Sequence, residues 1–472
     1  MKKTTLKNEC KSHLGSNKWV YLAFFQSFAW VGPVILLWSA WGLCQARIEL
    51  RDIERMRIIV PAESYLRQAP VTITAYPASR SAGGIHDFFS EGDYWWPDPN
   101  NPDGPYIQRD GMTNPDNFVW HRKAMIRFST QAATLTSAYV LTKNEIYAEH
   151  AVRHMRAWFI DDATKMNPHL KYAQAIKGRS TGRGTGIIDT VHLIEVARSA
   201  LVLAGSKSMR AEDLAGIRSW FAEYLRWMTT NENGIEERDA KNNHGTCWVM
   251  QVAAFAQLTA NTDLLDYCRK RYREVLLPNQ MAADGSYPLE LRRTKPYGYS
   301  IFNLDAFATI CQILSSREDN LWEFTLPDGR GIRKGMEYLY PYLKDKSAWP
   351  HAKDVMYFEE WPVRQPCLLF AGLALNEPRY LDCLCSRRRR ECQDVRPLGR
   401  CPRTTENSIT RHKIRRRAII MQIDNLTVRS RHGHRPCGRG TIDAQDRQCH
   451  RRSYSKRRRV LRSPESSIAT AG

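Results

Sequence analysis

β-Strand signal is almost absent from this 472-residue sequence, and the alternating run VTITAY at 71–76 is the best candidate. Sandwiches, barrels and parallel sheets need several such runs at regular intervals, so those classes are excluded. No self-similarity recurs with a period of about 20 to 50 residues, which removes solenoids and propellers. Metal-ligand rhythm is missing too. Cys247, Cys268, Cys311 and Cys367 are scattered through helical stretches and read as buried thiols. The glycines at 178–186 lack the Gly-Lys-Ser/Thr ending of a phosphate loop and follow no apolar strand, so nucleotide binding is set aside.

Net charge is absent from the body. The whole chain carries +21, yet residues 47–383 sum to zero. Residues 384–472 hold 22 Arg and 2 Lys against 7 acidic residues, and residues 1–46 hold 5 Lys against Glu9 alone. A neutral body is not expected to bind nucleic acid. The front flank has basic residues before the apolar run at 19–46, which is the order of a signal peptide ending at Cys44-Gln45-Ala46. That run is also long enough to anchor the chain in a membrane, its only expected membrane contact. Export to the periplasm or medium is expected either way.

Tryptophan stops at Trp361, and beyond Cys385 come RRRR, IRRRA and KRRRV without apolar periodicity. Three accounts compete for this irregular basic tail, residues 384–472. It is a disordered polyanion-binding segment, a metal knuckle, or a stretch that does not continue the natural sequence, as out-of-frame translation would produce. The bias to Arg over Lys favours the third, and the knuckle spacing fits no common finger.

What remains is helix. Aromatics at 10% and hydrophobics at 43% can bury a sizeable core. Met125, Phe128, Ala132, Leu135 and Tyr139 fall on one stripe, and similar stripes cover 144–159, 188–204, 211–229, 245–260, 262–276, 300–315, 333–343 and 364–375. Short turns separate them, including 231–234 and Asp284-Gly285. The expectation is an all-α domain of antiparallel helical hairpins over 85–383, with 47–84 as a lead-in.

The unusual residues lie in the connections. SEGDYWWPDPNNPDGPYIQRDG at 90–111 concentrates Tyr94, Trp95 and Trp96, as core anchors or as a platform for sugar rings. In DAKNNHGTCWVM, an Asn before the helix is a good cap, while Asn243 and His244 at a helix mouth also suit an anion. Arg183 stands between two glycines, where it either meets a ligand carboxylate or is solvated. Arg292, Arg293 and Lys295 crowd Tyr297 and Tyr299. Nearby cations favour the phenolate form of such a Tyr, fitting it for proton transfer.

Taken together, GDYWWPDPNNPDGPY, MNP…YAQAI…GRGTGIIDT, NNHG and RTKPYGYSIFNL resemble the alginate lyase family of polyuronate lyases from about residue 85 to 383. The resemblance implies an (α/α) toroid and β-elimination of an acidic polysaccharide. Such an enzyme removes the carbon 5 proton beside a carboxylate and expels the oxygen on carbon 4. Donors must stabilise the dianion that forms, and each is worth about 3–4 kcal/mol in comparable oxyanion sites. By resemblance Asn243, His244 and Arg293 serve the carboxylate, with Arg292 a rival, and Tyr299 protonates the leaving oxygen. Tyr299 or His244 takes the carbon 5 proton. Tyr94, Trp95, Trp96, Asn167, Tyr172, Arg183, Arg292 and Tyr297 are expected to bind substrate, and no metal or cofactor is expected. Gly245 and Gly298 depart from the better-known alginate lyases, which carry Ser and His there, so glucuronan is as credible a substrate as alginate. The competing readings are a non-catalytic carbohydrate-binding protein and nucleic-acid binding through the tail.

Overall fold

The computed structural model describes residues 55–362 and 364–393, with side chains to Ser386. The expectations for residues 1–46 and for the tail beyond Gln393 lie outside the described residues. Among the described residues no helix is long and apolar enough to cross a membrane.

Helix α1 covers residues 55–65 and buries Ile58 and Ala62 in the main core. The stripe read from Met125 onward becomes α2, Trp120–Thr142, which ends when Lys143 turns left-handed at φ 59°. Asn144 then caps α3, Glu145–Phe159, its side chain accepting from the Ile146 N–H at 3.1 Å. The following helices are α4 Leu193–Leu203, α5 Ala211–Thr230 and α6 Glu232–Asp239. Next come α7 Asn243–Thr259 and α8 Thr262–Arg271, which a single π turn extends to Leu276. Two short helices follow, α9 Leu277–Gln280 and α10 Pro288–Leu291. The body closes with α11 Pro296–Leu314, α12 Ile332–Lys344, α13 Pro366–Ala374 and α14 Pro378–Gln393.

Helix α7 is the hub. From Thr246 to Ala256 it is buried on every side, because α4, α5, α6, α8 and α11 all pack on it. A helix apolar all round belongs in a core. Around it α2 packs on α3 and α4, α3 on α5, α11 on α12 and α13, and α13 on α14. Each fully buried Leu, Val, Ile or Phe contributes about 1.5–3 kcal/mol.

Three sequence expectations change. VTITAY is not a strand: Ile73–Ala75 is a 3-10 turn whose Thr72 side chain accepts from the Thr74 N–H. Threonine side chains bond their own backbone readily, and no neighbouring strand competes for it. The turn expected at 231–234 opens helix α6, with Asn231 as its cap. Regular structure continues past residue 384, because α14 seats Tyr380, Cys383 and Leu384 in the core and runs to Gln393.

The strands present are four short ones beside the helix mouths. β1 Phe89–Glu91 pairs in parallel with β4 Tyr172–Ala175. β2 Trp95–Trp96 pairs antiparallel with β3 Ile107–Gln108. The fully buried Arg122 of α2 fixes this sheet region, bonding Asp93 after β1 and Asp189 at 3.0 Å. Ser90 adds a bond to Asp189 at 2.6 Å.

Candidate active site

Asn242 answers the local question at the mouth of α7. It is the cap, its side chain accepting from the His244 N–H at 3.3 Å, which leaves the next two side chains available for other work. Asn243 is held from both ends by Glu290 of α10: its backbone N–H and its Nδ2 each donate to one carboxylate oxygen at 2.7 Å. His244 meets the buried Glu237 of α6, Nδ1 to Oε1 at 2.8 Å. A carboxylate only accepts there, so the ring carries its proton on Nδ1 and presents a basic Nε2. Burial raises the pKa of Glu237 and of Glu290, while the groups they bond pull the other way.

The second half comes from the turn between α10 and α11. Arg293 binds Asp110 through Nη2 at 2.7 Å and Nε at 3.2 Å. Burial opposes ionisation of Asp110, but the bonds from Arg293 and Thr294 outweigh it and hold its pKa below the usual value. The same Nη2 donates to the Tyr299 hydroxyl at 3.2 Å, and that hydroxyl lies 2.5 Å from the Tyr94 hydroxyl. The expected phenolate does not follow. Burial pushes Tyr299 up to about 12 despite Arg293, and it raises Tyr94 well above its ordinary value. Free of substrate, Tyr299 is a neutral proton donor near neutral pH.

Asn243, His244, Arg293 and Tyr299 line one cavity of about 640 Å³, together with Tyr94, Trp95 and Arg183. Arg183 is committed to Gln174, donating to its carbonyl at 3.0 Å and to its side-chain oxygen at 2.9 Å, and burial lowers its pKa. Gln174 holds a left-handed φ of 51° within β4, an uncommon conformation for a non-glycine residue, and it faces the cavity. Buried Lys295 sits 5.0 Å above the rings of Tyr94 and Tyr357. Asp354 accepts the Tyr297 and Gly298 N–H groups at 2.9 Å, capping α11, and burial raises its pKa to about 6. Among the described residues no cluster of three His, Cys, Asp or Glu is placed to hold a metal.

A family model described as alginate lyase matches residues 72–349. The chain belongs to the alginate lyase family. It is a polysaccharide lyase, and its helical architecture is the (α/α) toroid expected from the resemblance. A crystal structure of an alginate lyase from Bacteroides ovatus is similar at 34% identity with a TM-score of 0.64, covering 70% of this chain and 88% of that one. Alginate lyase A1-III from Sphingomonas species A1 aligns at 15% identity with a TM-score of 0.42, covering 66% and 85%. A1-III complexed with a tetrasaccharide aligns at 14% identity with a TM-score of 0.45, covering 66% and 81%. A comparison with curated proteins gives no significant match.

Within this family fold, five residues expected to bind substrate do not line the cavity. Tyr297 is wholly buried, donating its hydroxyl to the Tyr342 carbonyl at 2.8 Å, because it opens α11 on the core side. Asn167 anchors a loop by donating to Asp87 at 2.7 Å. Tyr172 packs against His169 and the Gly83 backbone. Trp96 donates to the Met112 carbonyl at 2.8 Å, with Arg109 over its ring. Arg292 lines a different cavity. Glu237, Glu290 and Asp110 escaped sequence reasoning, since nothing local in the chain shows which loop a carboxylate will face. Both departures from the better-known lyases sit in tight places. A Cβ on Gly245 would lie 2.2 Å from the Ala240 carbonyl oxygen, and one on Gly298 would lie 2.8 Å from Asp354.

Proposed function

We propose that this lyase cleaves a polyuronate of the alginate or glucuronan type by β-elimination. The supporting observation is the convergence of an amide, an imidazole, a guanidinium and a neutral phenol on one cavity. Asn243 and Arg293 bond the substrate carboxylate and stabilise the dianion left when carbon 5 loses its proton. Tyr299 gives its proton to the oxygen on carbon 4 as that bond breaks, and Tyr94 and Arg293 hold its hydroxyl in line. His244 also donates to the carboxylate only in its form protonated on both ring nitrogens. Where the carbon 5 proton and the leaving oxygen lie on opposite faces of the sugar, His244 Nε2 takes the proton. Where they share a face, Tyr299 must first lose its own proton to solvent in the substrate complex, after which the phenolate takes the carbon 5 proton and returns it to the leaving oxygen. Tyr94 and Trp95 pack on the sugar rings, and Arg183 orders Gln174 beside them. The basic-then-apolar front flank supports action in the periplasm or medium.

The test is ultraviolet absorbance of the unsaturated product across polymannuronate, polyguluronate and glucuronan. Absorbance should rise on at least one polymer with wild type and vanish with Tyr299→Phe at unchanged helical content. Binding without product on every polymer would leave a carbohydrate-binding protein instead.

A further inference from the structure

Neighbouring Arg292 and Arg293 part company at the end of α10. Arg293 enters the catalytic cavity, while Arg292 lines a second cavity of about 500 Å³. Asp239 and Ala240, the residues leading into the α7 mouth, border both.

The second cavity has the chemistry of a carboxylated sugar site. Its apolar floor includes Val275, Leu276 and Pro288. Lys241, Arg271 and Arg292 line the cavity with a single carboxylate, Asp239. Asp239 is already bonded by Arg238 at 2.6 Å and by Arg271 at 3.2 Å, so it does not neutralise the remaining two cations. Lys241 has no ion pair among the described residues, and Arg292 donates only to the Pro288 carbonyl at 3.3 Å. Arg271 is pinned by the Arg238 carbonyl at 2.8 Å and leaves a buried Nε without a hydrogen-bond partner. Residues 47–383 carry no net charge, so this local excess of cations is not a sample of a basic surface.

We infer that the second cavity is a uronate-binding subsite, in which Lys241, Arg271 and Arg292 hold a carboxylate while the apolar floor takes a sugar face. The inference rests on the polyuronate reading above. A polyuronate carries a carboxylate on every sugar, so a chain with one residue at Tyr299 has others to offer beyond the Asp239–Ala240 wall. The same chemistry arises from a separate oligouronate, and chain length separates the two sources.

The experiment uses the Lys241→Ala/Arg292→Ala double variant, both of whose side chains are exposed and line the second cavity but not the catalytic one. Steady-state kinetics are measured on long polyuronate and on short oligouronates. In a Tyr299→Phe background, calorimetry measures binding of saturated oligomannuronate and oligoglucuronate. KM for the polymer should rise about ten-fold, the factor that about 1.4 kcal/mol corresponds to. The turnover number should stay within about two-fold, and Arg292→Lys should restore most of the loss. An effect confined to long chains assigns the site to the bound chain, whereas loss of a second stoichiometric site for short oligomers assigns it to a separate molecule. Unchanged KM, unchanged heats and unchanged salt dependence in the double variant overturn the inference. If wild type turns over no polyuronate, the parent reading fails, and the calorimetric comparison still decides whether these cations bind a uronate.

Discussion

Tyr299 shows how far a single residue can be read from its neighbours in sequence. Three cations within a few positions suggested a lowered pKa, and Arg293 and the bond from Tyr94 do pull it down, yet burial outweighs both and raises it to about 12. Sequence spacing displays charge and conceals desolvation. Tyr299→Phe should therefore lower the turnover number by about a thousand-fold, within the range of a lost general acid or base. Titrating tyrosinate absorbance in the free protein should find no Tyr299 signal near pH 10, and one appearing there in wild type but not in Tyr299→Phe would contradict the assignment. The His244–Glu237 pair makes a second prediction. Burial lifts the Glu237 pKa, so acid protonates it at a higher pH than an ordinary Glu and removes the acceptor for His244 Nδ1. Activity is then present above that pKa and lost as pH falls through it. Glu237→Gln should lower kcat/KM by about ten- to a hundred-fold and remove this acid limb from the pH profile. Asn243 and His244 were legible because they follow a helix cap, whereas their carboxylate partners come from α6 and α10, which periodicity does not pair with α7.

Elements with strong stripes, such as α2, α3 and α5, formed where periodicity put them, while elements without one were misread. Helix α6 has the sequence ENGIEERD and no apolar face to announce it; Asn231 caps it, and packing against α7 and the 3-10 turn Gly184–Thr190 holds it. The short strands of the aromatic loop were missed because each pair spans two or three residues, too few for alternation to show. That loop depends on Arg122. Arg122→Met should cost about 3–5 kcal/mol in denaturant unfolding, because Asp189 would remain buried without its cation. Asp354, the cap of α11, gives a pH signature. Its folded pKa of about 6 lies above the unfolded value, so the native state binds the extra proton. Its contribution to stability is fully present below about pH 4 and lost as pH rises through about 6, a change of roughly 3 kcal/mol. Asp354→Ala should flatten that slope in thermal unfolding measured across the interval, and an unaltered slope would place the titration elsewhere.

At the scale of the molecule, the helical-hairpin architecture was readable and its edges were not. The core takes in Ile58 and Ala62 ahead of the segment that resembles the family, and Tyr380, Cys383 and Leu384 at its far end. Two truncations, one removing residues 394–472 and one starting at Pro378, are compared by their unfolding midpoints. A deletion from Pro378 onward should lower the midpoint by several degrees, because it uncovers the surface of α13 that α14 now buries. A midpoint equally low in both truncations would show that residues beyond Gln393 contribute to the body. One consequence follows from the way Glu290 clamps Asn243 and Glu237 clamps His244. Both side chains are oriented by bonds to buried carboxylates that exist before any sugar arrives, so the entropic cost of aligning them falls on folding and not on each encounter. Catalytic competence and native stability then draw on the same four hydrogen-bonded groups, and a mutation loosening either carboxylate should be felt in both.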